Sequence, residues 1–169
     1  GSGIIDSADT FERPLRVLAV RGPRTRARMQ ALGYDCPEVY GDPGLMLPLA
    51  YPARAQALYE VGLIPHFSEL ERFRGVALPK GWRLVDVTKG LEEVVDDIAS
   101  CRRTVSSSLH GVIVSQAYGV PSAWAAAETT LHGDGVKFAD YFEALGVMDA
   151  APCAWGPVLA GDLSAARFL

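Results

Sequence analysis

The sequence predicts an α/β fold in which a parallel sheet is covered by helices on both faces. Short apolar segments of strand length alternate along the chain with segments of helical periodicity. This alternation is typical of βαβ units, whose parallel strands are buried on both sides. Unusual polar residues follow directly after most of the apolar segments, where ligands bind in such sheets. We therefore expect a single Rossmann-like domain over residues 1–169.

The expected strands are short and rich in apolar residues. They lie at residues 15–20, 38–40, 61–66, 82–87, 103–106 and 121–125. Helices are expected between them at residues 24–32, 91–100, 110–118 and 137–145. Pro23 suits the first turn of the first helix, and Gly33 can end it. After residue 150 the pattern is too weak to assign an element.

Composition excludes several classes of protein. The chain of 169 residues is 49% hydrophobic and 21% charged, as expected for a soluble globular domain. Its net charge of −4 gives no basic surface for nucleic acid. No apolar run is long enough to span a bilayer, and no secretory signal is visible. The three cysteines are scattered and lack metal-ligand spacing, so we expect a cytoplasmic protein without a metal.

The strongest candidate site is the junction at residues 105–111. Val105 ends a strand-like run, three serines follow, and a helical pattern then begins with His110 in its first turn. Ser108 favours the N-cap position, so the helix should begin near Leu109. N–H groups of a helix N-terminus, hydroxyls and an imidazole would meet there, as an anion-handling active site requires. The alternative is an imidazole that only packs beside the strand.

Four further side chains are candidates, each with a structural alternative. Arg21 lies between a strand and a helix, where its guanidinium could bind a carboxylate or phosphate, whereas Arg24 could simply face solvent. Asp42 either forms a turn or orients a catalytic group. His66, at a strand end, either binds substrate or packs with its neighbours.

Lys137 follows the glycine-rich loop at residues 132–135 and could bring an ammonium to an anion. An ordinary exposed lysine is the alternative, although a positive charge at a helix start opposes the helix dipole. The sequence contains no Gly-x-Ser-x-Gly elbow, no phosphate-binding P-loop and no Gly-x-Gly-x-x-Gly fingerprint. The residues therefore indicate a metal-free site that combines one histidine with cationic side chains.

Several of these residues belong to motifs that occur in a set order. The motifs are Gly1-Ser2-Gly3-Ile4, Val20-Arg21-Gly22-Pro23-Arg24-Thr25, Tyr40-Gly41-Asp42-Pro43-Gly44-Leu45, Ile64-Pro65-His66-Phe67, Ser106-Ser107-Ser108-Leu109-His110-Gly111, Ala117-Tyr118-Gly119-Val120-Pro121 and Lys137-Phe138-Ala139-Asp140-Tyr141. With them the chain resembles the polysaccharide pyruvyl transferases, especially the bacterial exopolysaccharide ketal-pyruvate transferases of the xanthan type. The resemblance covers residues 1–145.

The resemblance implies the later half of a glycosyltransferase-B-like fold, with an N-terminal portion that precedes residue 1. It implies transfer of the enolpyruvyl carbons of phosphoenolpyruvate to two sugar hydroxyls, with release of phosphate and without a cofactor. His110 would be the catalytic histidine, and Arg21 and Lys137 would bind phosphoenolpyruvate. Ser107, Ser108 and Leu109 would line the substrate beside His110, with Arg24, Asp42 and His66 as further substrate-binding residues. Many relatives carry arginine in place of Ser108, and Arg24 or Arg103 is expected to supply that charge.

The resemblance also implies a saccharide or a lipid-linked oligosaccharide as acceptor. We therefore expect activity at the inner face of the cytoplasmic membrane, with peripheral association at most. Two alternatives remain open at this point. One is a glycosyltransferase donor domain that uses a nucleotide sugar. The other is a truncated, non-catalytic module, because half of the cleft is expected to be missing.

Overall fold

The computed structural model describes residues 2–11, 16–53, 56–129 and 133–169. The helices are α1 (Pro23–Ala31), α2 (Leu47–Ala50), α3 (Leu70–Phe73), α4 (Leu91–Ala99), α5 (Leu109–Ala117), α6 (Val136–Ala144) and α7 (Trp155–Leu159), and a 3₁₀ turn (Pro43–Met46) precedes α2. The strands are β1 (Val61–Ile64), β2 (Trp82–Leu84), β3 (Thr104–Ser106) and β4 (Ser122–Trp124). The strands form a parallel sheet, which confirms the predicted α/β class.

The chain divides into two compact units. Unit 1 comprises Gly1–Pro43 and Leu131–Ala150, and unit 2 comprises Gly44–Thr130 and Ala151–Leu169. All four named strands lie in unit 2. Each unit is described below by itself.

The sheet of unit 2 has the strand order β2-β1-β3-β4. The chain leaves β1 toward one side to form β2 and then crosses back to form β3 on the other side. Ligands of open α/β sheets bind outside the carboxyl ends of the strands at such a switch in direction. The switch point lies between β1 and β3, where Ile64 pairs with Ser106. It therefore brings the residues after Ile64 next to the residues after Ser106.

The core of unit 2 lies on both sides of this sheet, because successive residues of a strand face opposite ways. Leu63 of β1 packs into one cluster with Val105 and Trp155. Its neighbour Ile64 packs into a second cluster with Ile98 of α4. Burial on both faces explains why β1 is a continuous apolar run. The four strands were predicted as short apolar segments, and the structure confirms them with shorter ends.

Helix α7 was not predicted, since the sequence after residue 150 shows no clear periodicity. Its position is fixed by one large side chain. Trp155 is almost completely buried, and its ring meets the ring of Phe73 edge to face at a centroid distance of 4.8 Å. A helix of only five residues thus forms through tertiary packing and not through its own propensity.

In its described residues, unit 1 contains α1, α6 and one isolated parallel bridge between Val20 and Tyr40. Strands were predicted at residues 15–20 and 38–40, and residues 12–15 fall outside the described part of the chain. In the described remainder, the prediction is wrong apart from this one bridge. Leu18 and Val39 are largely exposed, so the apolar residues beside the bridge gain no burial from a longer ladder.

Helices α1 and α6 begin and end within one residue of the predicted bounds, and they pack against each other. The close approach depends on Gly22, the N-cap of α1. A Cβ atom at this position would lie 1.9 Å from the backbone oxygen of Asp140 in α6. Glycine therefore lets the start of α1 rest directly on α6.

Candidate functional site

The junction between β3 and α5 lies at the switch point of unit 2. Ser108 is the N-cap of α5, with the extended backbone that was predicted for it. The Ser108 hydroxyl makes no capping hydrogen bond, and the Ser108 backbone N–H donates to the Oγ of Ser106 at 3.0 Å. The first backbone N–H that bonds back into the helix is that of Val112, which donates to the Ser108 oxygen. Within the described residues, the N–H groups between Ser108 and Val112 have no acceptor.

His110 is the second residue of α5, and its side chain is exposed. Among the residues that the structure describes, no side chain or backbone group hydrogen-bonds to its ring. The imidazole is therefore accessible beside unpaired N–H groups and the positive end of the helix dipole. Leu109, in contrast, points its side chain into the core, so only its backbone N–H is open at the junction.

Gly111 allows α5 to pack tightly on the sheet. A Cβ atom here would lie 2.3 Å from the Oγ of Ser106 and 2.9 Å from the Cγ2 of Ile64. The glycine therefore sets the depth at which α5 begins. That depth fixes where the neighbouring His110 stands above the carboxyl ends of β1 and β3.

Ser107 is completely buried, and its hydroxyl is fully used within the protein. It accepts the backbone N–H of His66 at 2.9 Å and donates to the Oε2 of Glu69 at 2.6 Å. The Oε1 of Glu69 accepts the N–H of Glu128 at 2.5 Å and that of Thr129 at 3.3 Å. Through Glu69, the segments that follow β1, β3 and β4 are joined at one point.

His66 is half-buried at the carboxyl end of β1. Its Nδ1 lies 2.8 Å from the Oγ of Ser68, and the Ser68 backbone N–H donates to the same nitrogen at 3.3 Å. Ser68 reaches onward to the Oγ1 of Thr129 at 3.2 Å. The ring of Phe67 packs against the imidazole at a centroid distance of 4.4 Å. The orientation of His66 is therefore set from two sides.

In unit 1, Arg21 is only 5% exposed and lies in a buried ion pair. Its Nε donates to Asp140 at 3.1 Å, and its Nη2 donates to the oxygen of Ile4 at 2.5 Å. Asp140 also accepts the N–H and the hydroxyl of Thr25 at 2.9 Å and 2.7 Å. Gly3 leaves room for the guanidinium, because a Cβ atom there would lie 2.5 Å from the Arg21 Cζ.

Lys137 is the cation of unit 1 whose surroundings best suit an anion. Its pKa lies below the ordinary lysine value because the ammonium is partly buried and because Arg21 places a second positive charge nearby. Its Nζ lies 5.7 Å from the ring centroid of Phe138. Within the described part of the chain, no carboxylate forms an ion pair with it. A lysine whose pKa is lowered by burial and by a neighbouring cation is a candidate functional residue.

The other two candidates of unit 1 have partners inside the protein. Arg24 donates through Nε and Nη2 to the carboxylate of Glu143, so its charge is balanced at the surface. Asp42 is buried, and its carboxylate lies close enough to Tyr141 for its charge to act on the phenol. Burial, with a contribution from the Asp42 charge, raises the pKa of Tyr141 to about 12.

Arg24 and Arg103 are the two residues expected to supply the charge that is absent at Ser108. Arg103 precedes β3, at the amino edge of the sheet, and its guanidinium lies over the ring of Phe168 at 5.4 Å. Ser108 follows β3 at the carboxyl edge. Arg103 and Ser108 thus stand at opposite ends of the same strand.

Unit 2 therefore brings together His66, Ser107, Ser108, Leu109 and His110, and unit 1 brings together Arg21 and Lys137, with Arg24 and Asp42 in the same unit. Sequence reasoning missed Glu69 and Asp140, the buried carboxylates that hold Ser107 and Arg21. Acidic residues are so common at surfaces that nothing local distinguishes these two. In the described residues, no group of histidine, cysteine and acidic side chains is arranged to hold a metal ion. None of the described helices is both long and apolar enough to cross a bilayer.

Comparisons with known proteins identify relatives of the chain. The family model described as polysaccharide pyruvyl transferase matches residues 7–126. An uncharacterized protein of Acanthamoeba polyphaga mimivirus is 32% identical over 137 residues, which are 76% of this chain and 47% of that protein. The chain thus spans about half the length of the curated relative it matches. No solved structure matches the chain significantly.

Proposed function

Because this chain belongs to the polysaccharide pyruvyl transferase family, we propose that it transfers a pyruvyl group from phosphoenolpyruvate to a sugar and releases phosphate. The acceptor would be an exopolysaccharide or its lipid-linked repeat unit. The observation that carries the proposal is the exposed imidazole of His110 among unpaired N–H groups at the switch point of unit 2. That arrangement suits an anionic substrate that must also receive a proton.

Phosphoenolpyruvate is a trianion at most, so its binding needs hydrogen-bond donors and cations but no cofactor. In unit 2, the N–H groups at the start of α5 and the hydroxyl of Ser108 are available as donors. Lys137 and Arg21 are proposed as donor-binding cations because the family resemblance implies that role. No carboxylate of the described residues pairs with Lys137, whereas Asp140 and Ile4 hold the Arg21 guanidinium.

His110 would supply the proton that starts the reaction. Histidine changes its charge between about pH 5 and pH 8, which suits proton transfer in both directions. Protonation of the methylene carbon of phosphoenolpyruvate gives a methyl group and an oxocarbenium-like centre. One sugar hydroxyl attacks this centre and returns a proton to His110. A second hydroxyl then forms the other C–O bond of the ketal as the C–O bond to phosphate breaks, and its proton leaves with the phosphate.

The other side chains at the switch point would position these groups. Ser107 is proposed to act through its hydrogen bonds to His66 and Glu69, because its hydroxyl is already used inside the protein. Leu109 would contribute its backbone N–H. His66 would contact the substrate from the end of β1, and Arg24 and Asp42 would support the anion-binding residues of unit 1.

We also propose where in the cell the reaction takes place. A lipid-linked acceptor is presented at a membrane surface, so we place the protein at the inner face of the cytoplasmic membrane. Peripheral contact is sufficient for this role.

The experiment that tests the function measures donor binding and phosphate release with the full chain. We expect isothermal titration to give binding of phosphoenolpyruvate and no comparable binding of uridine diphosphate. Addition of a saccharide acceptor should then release inorganic phosphate. Tight binding of the nucleotide without binding of phosphoenolpyruvate would instead identify a glycosyltransferase donor domain. Binding of neither would contradict both and leave a non-catalytic module.

A further inference from the structure

Phe67 is an aromatic side chain at the carboxyl end of β1 that remains 66% exposed. Single exposed apolar residues are common on protein surfaces, so exposure alone carries no argument. The position of Phe67 is what distinguishes it. It directly follows His66 at the switch point, on the edge of the sheet where ligands of this architecture bind.

The ring of Phe67 is also held in place. It packs on the His66 imidazole with centroids 4.4 Å apart and planes inclined by 40°. The imidazole in turn is fixed by a closed ring of hydrogen bonds through Ser68, Thr129, Glu69 and Ser107. Glu69, which belongs to this ring of hydrogen bonds, is fully buried, so the ring anchors the His66 segment against which Phe67 packs. An aromatic face that is already oriented loses little conformational entropy when a ligand covers it.

The residues beside Phe67 carry the polar groups that a sugar ring needs. The hydroxyls of Ser68 and Thr129 lie 3.2 Å apart on the same edge, with Ser68 exposed and Thr129 half-buried. Glu128 forms an exposed ion pair with Arg72 next to them. A pyranose has an apolar face of C–H groups and a rim of hydroxyls. The aromatic face matches the first, and the hydroxyl and ion-pair groups match the second.

We propose that Phe67 is the stacking surface of a saccharide subsite in unit 2, with Ser68 and Thr129 binding the hydroxyls of the sugar. This inference rests on the proposed function, because it assigns a place to the acceptor of that reaction. It concerns unit 2 alone. The subsite lies on the same edge of the sheet as His110, at the carboxyl ends of β1 and β3.

The test is a titration of the full chain, labelled with ¹³C in its phenylalanine rings, with methyl glycosides of glucose, galactose and mannose. The Phe67 signals are identified by their loss in Phe67→Leu. We expect at least one glycoside to shift these signals. In ligand-observed NMR, Phe67→Leu should raise the Kd of that glycoside by about three- to tenfold, because leucine is apolar but has no aromatic face. Phe67→Trp should restore binding.

Leu58→Ala is the matched control. Leu58 is 73% exposed in the same unit, but it precedes β1 and therefore lies toward the amino edge of the sheet. Its removal should leave the Kd unchanged. The proposal is overturned if no glycoside shifts the Phe67 signals, or if Phe67→Leu binds as tightly as the parent chain.

The measurements distinguish failure of the saccharide subsite from failure of the proposed transfer reaction. Phosphate release from phosphoenolpyruvate without any effect at Phe67 would leave the transferase intact and eliminate this subsite. Glycoside binding at Phe67 without phosphate release from phosphoenolpyruvate would support the subsite and contradict the transfer reaction. A nucleoside diphosphate that shifts the Phe67 signals when the glycosides do not would assign the aromatic face to a nucleobase and overturn the proposal.

Discussion

Ser107 donates its hydroxyl hydrogen to the buried carboxylate of Glu69 across 2.6 Å, and this bond ties the start of the junction between β3 and α5 to the rest of the sheet edge. The same carboxylate accepts two backbone N–H groups from the loop after β4. The Glu69 side chain thus links its own segment, which follows β1, to the segments that follow β3 and β4. His110 follows three residues after Ser107, so its height above the sheet depends on this anchor.

Replacement of Glu69 by alanine should destabilise the protein strongly. The change leaves the Ser107 hydroxyl and two backbone N–H groups without their acceptor, at a cost of about 1–3 kcal/mol for a buried unsatisfied group. Glu69→Gln should cost less, because its amide oxygen still accepts the two N–H groups. Urea denaturation measures the difference. Glu71→Ala is the control, since that exposed residue forms a surface ion pair with Arg74 and should change stability by less than about 1 kcal/mol. Equal effects at both positions would contradict the anchoring role.

Gly111→Ala should also destabilise the protein, although alanine is the better helix former. The new methyl group would meet the Ser106 Oγ and the Ile64 Cγ2 well inside contact distance, and overpacking of this kind costs about 1–3 kcal/mol. Gly156→Ala in α7 is the matched control. Nothing lies within 4 Å of its added methyl group, so this variant should gain up to about 1 kcal/mol. A rise in melting temperature for Gly111→Ala would show that α5 is not packed as described.

Arg21→Ala and Arg24→Ala should separate a buried ion pair from an exposed one. Removal of Arg21 leaves Asp140 buried without its cation, which typically costs about 3–5 kcal/mol. Removal of Arg24 breaks a surface pair with Glu143 and should cost about 1 kcal/mol or less. Thermal denaturation of both variants gives the comparison. A stable Arg21→Ala protein would mean that Asp140 is satisfied without the guanidinium.

Binding of phosphoenolpyruvate should weaken at alkaline pH because of Lys137. Its ammonium is the form that binds an anion, and it loses its proton as the pH rises through a pKa that burial and Arg21 place below the ordinary lysine value. The dissociation constant should therefore rise between neutral pH and about pH 10. In Lys137→Arg the dissociation constant should stay the same over this range, because a guanidinium remains charged throughout. A dissociation constant that does not change with pH in the parent chain, or that rises equally in Lys137→Arg, would exclude a role of Lys137 in donor binding.

The sequence was sufficient to predict the strands of unit 2, because each contains short apolar segments bounded by turn residues, of which the fully buried β1 is the clearest. It was also sufficient for α1, α4, α5 and α6, whose caps and periodicity are local properties. It failed in the described residues 16–20 and 38–40, where Leu18 and Val39 are largely exposed and pairing is limited to the bridge between Val20 and Tyr40. It also failed at α7, because a single tryptophan that fills the core has no periodic neighbours.

The same limit applies to the candidate site. The N-cap of α5 and the exposure of His110 follow from the local pattern of three serines before a helix. The buried partners of Ser107 and Arg21 could not be predicted, since Glu69 lies 38 residues from Ser107 and Asp140 lies 119 residues from Arg21. Pairing at such distances is decided by the folded topology. For this reason Arg21, expected as a ligand-binding cation, is also part of the framework of unit 1.

The most direct test of the account is pyruvyl transfer by His110→Ala. The side chain is exposed and has no hydrogen-bond partner among the described residues, so the variant should keep the melting temperature of the parent chain. Loss of the general acid should lower the rate of acceptor-dependent phosphate release from phosphoenolpyruvate by about 10²–10⁴-fold. A variant that folds normally and transfers at the parental rate would contradict the central role of His110.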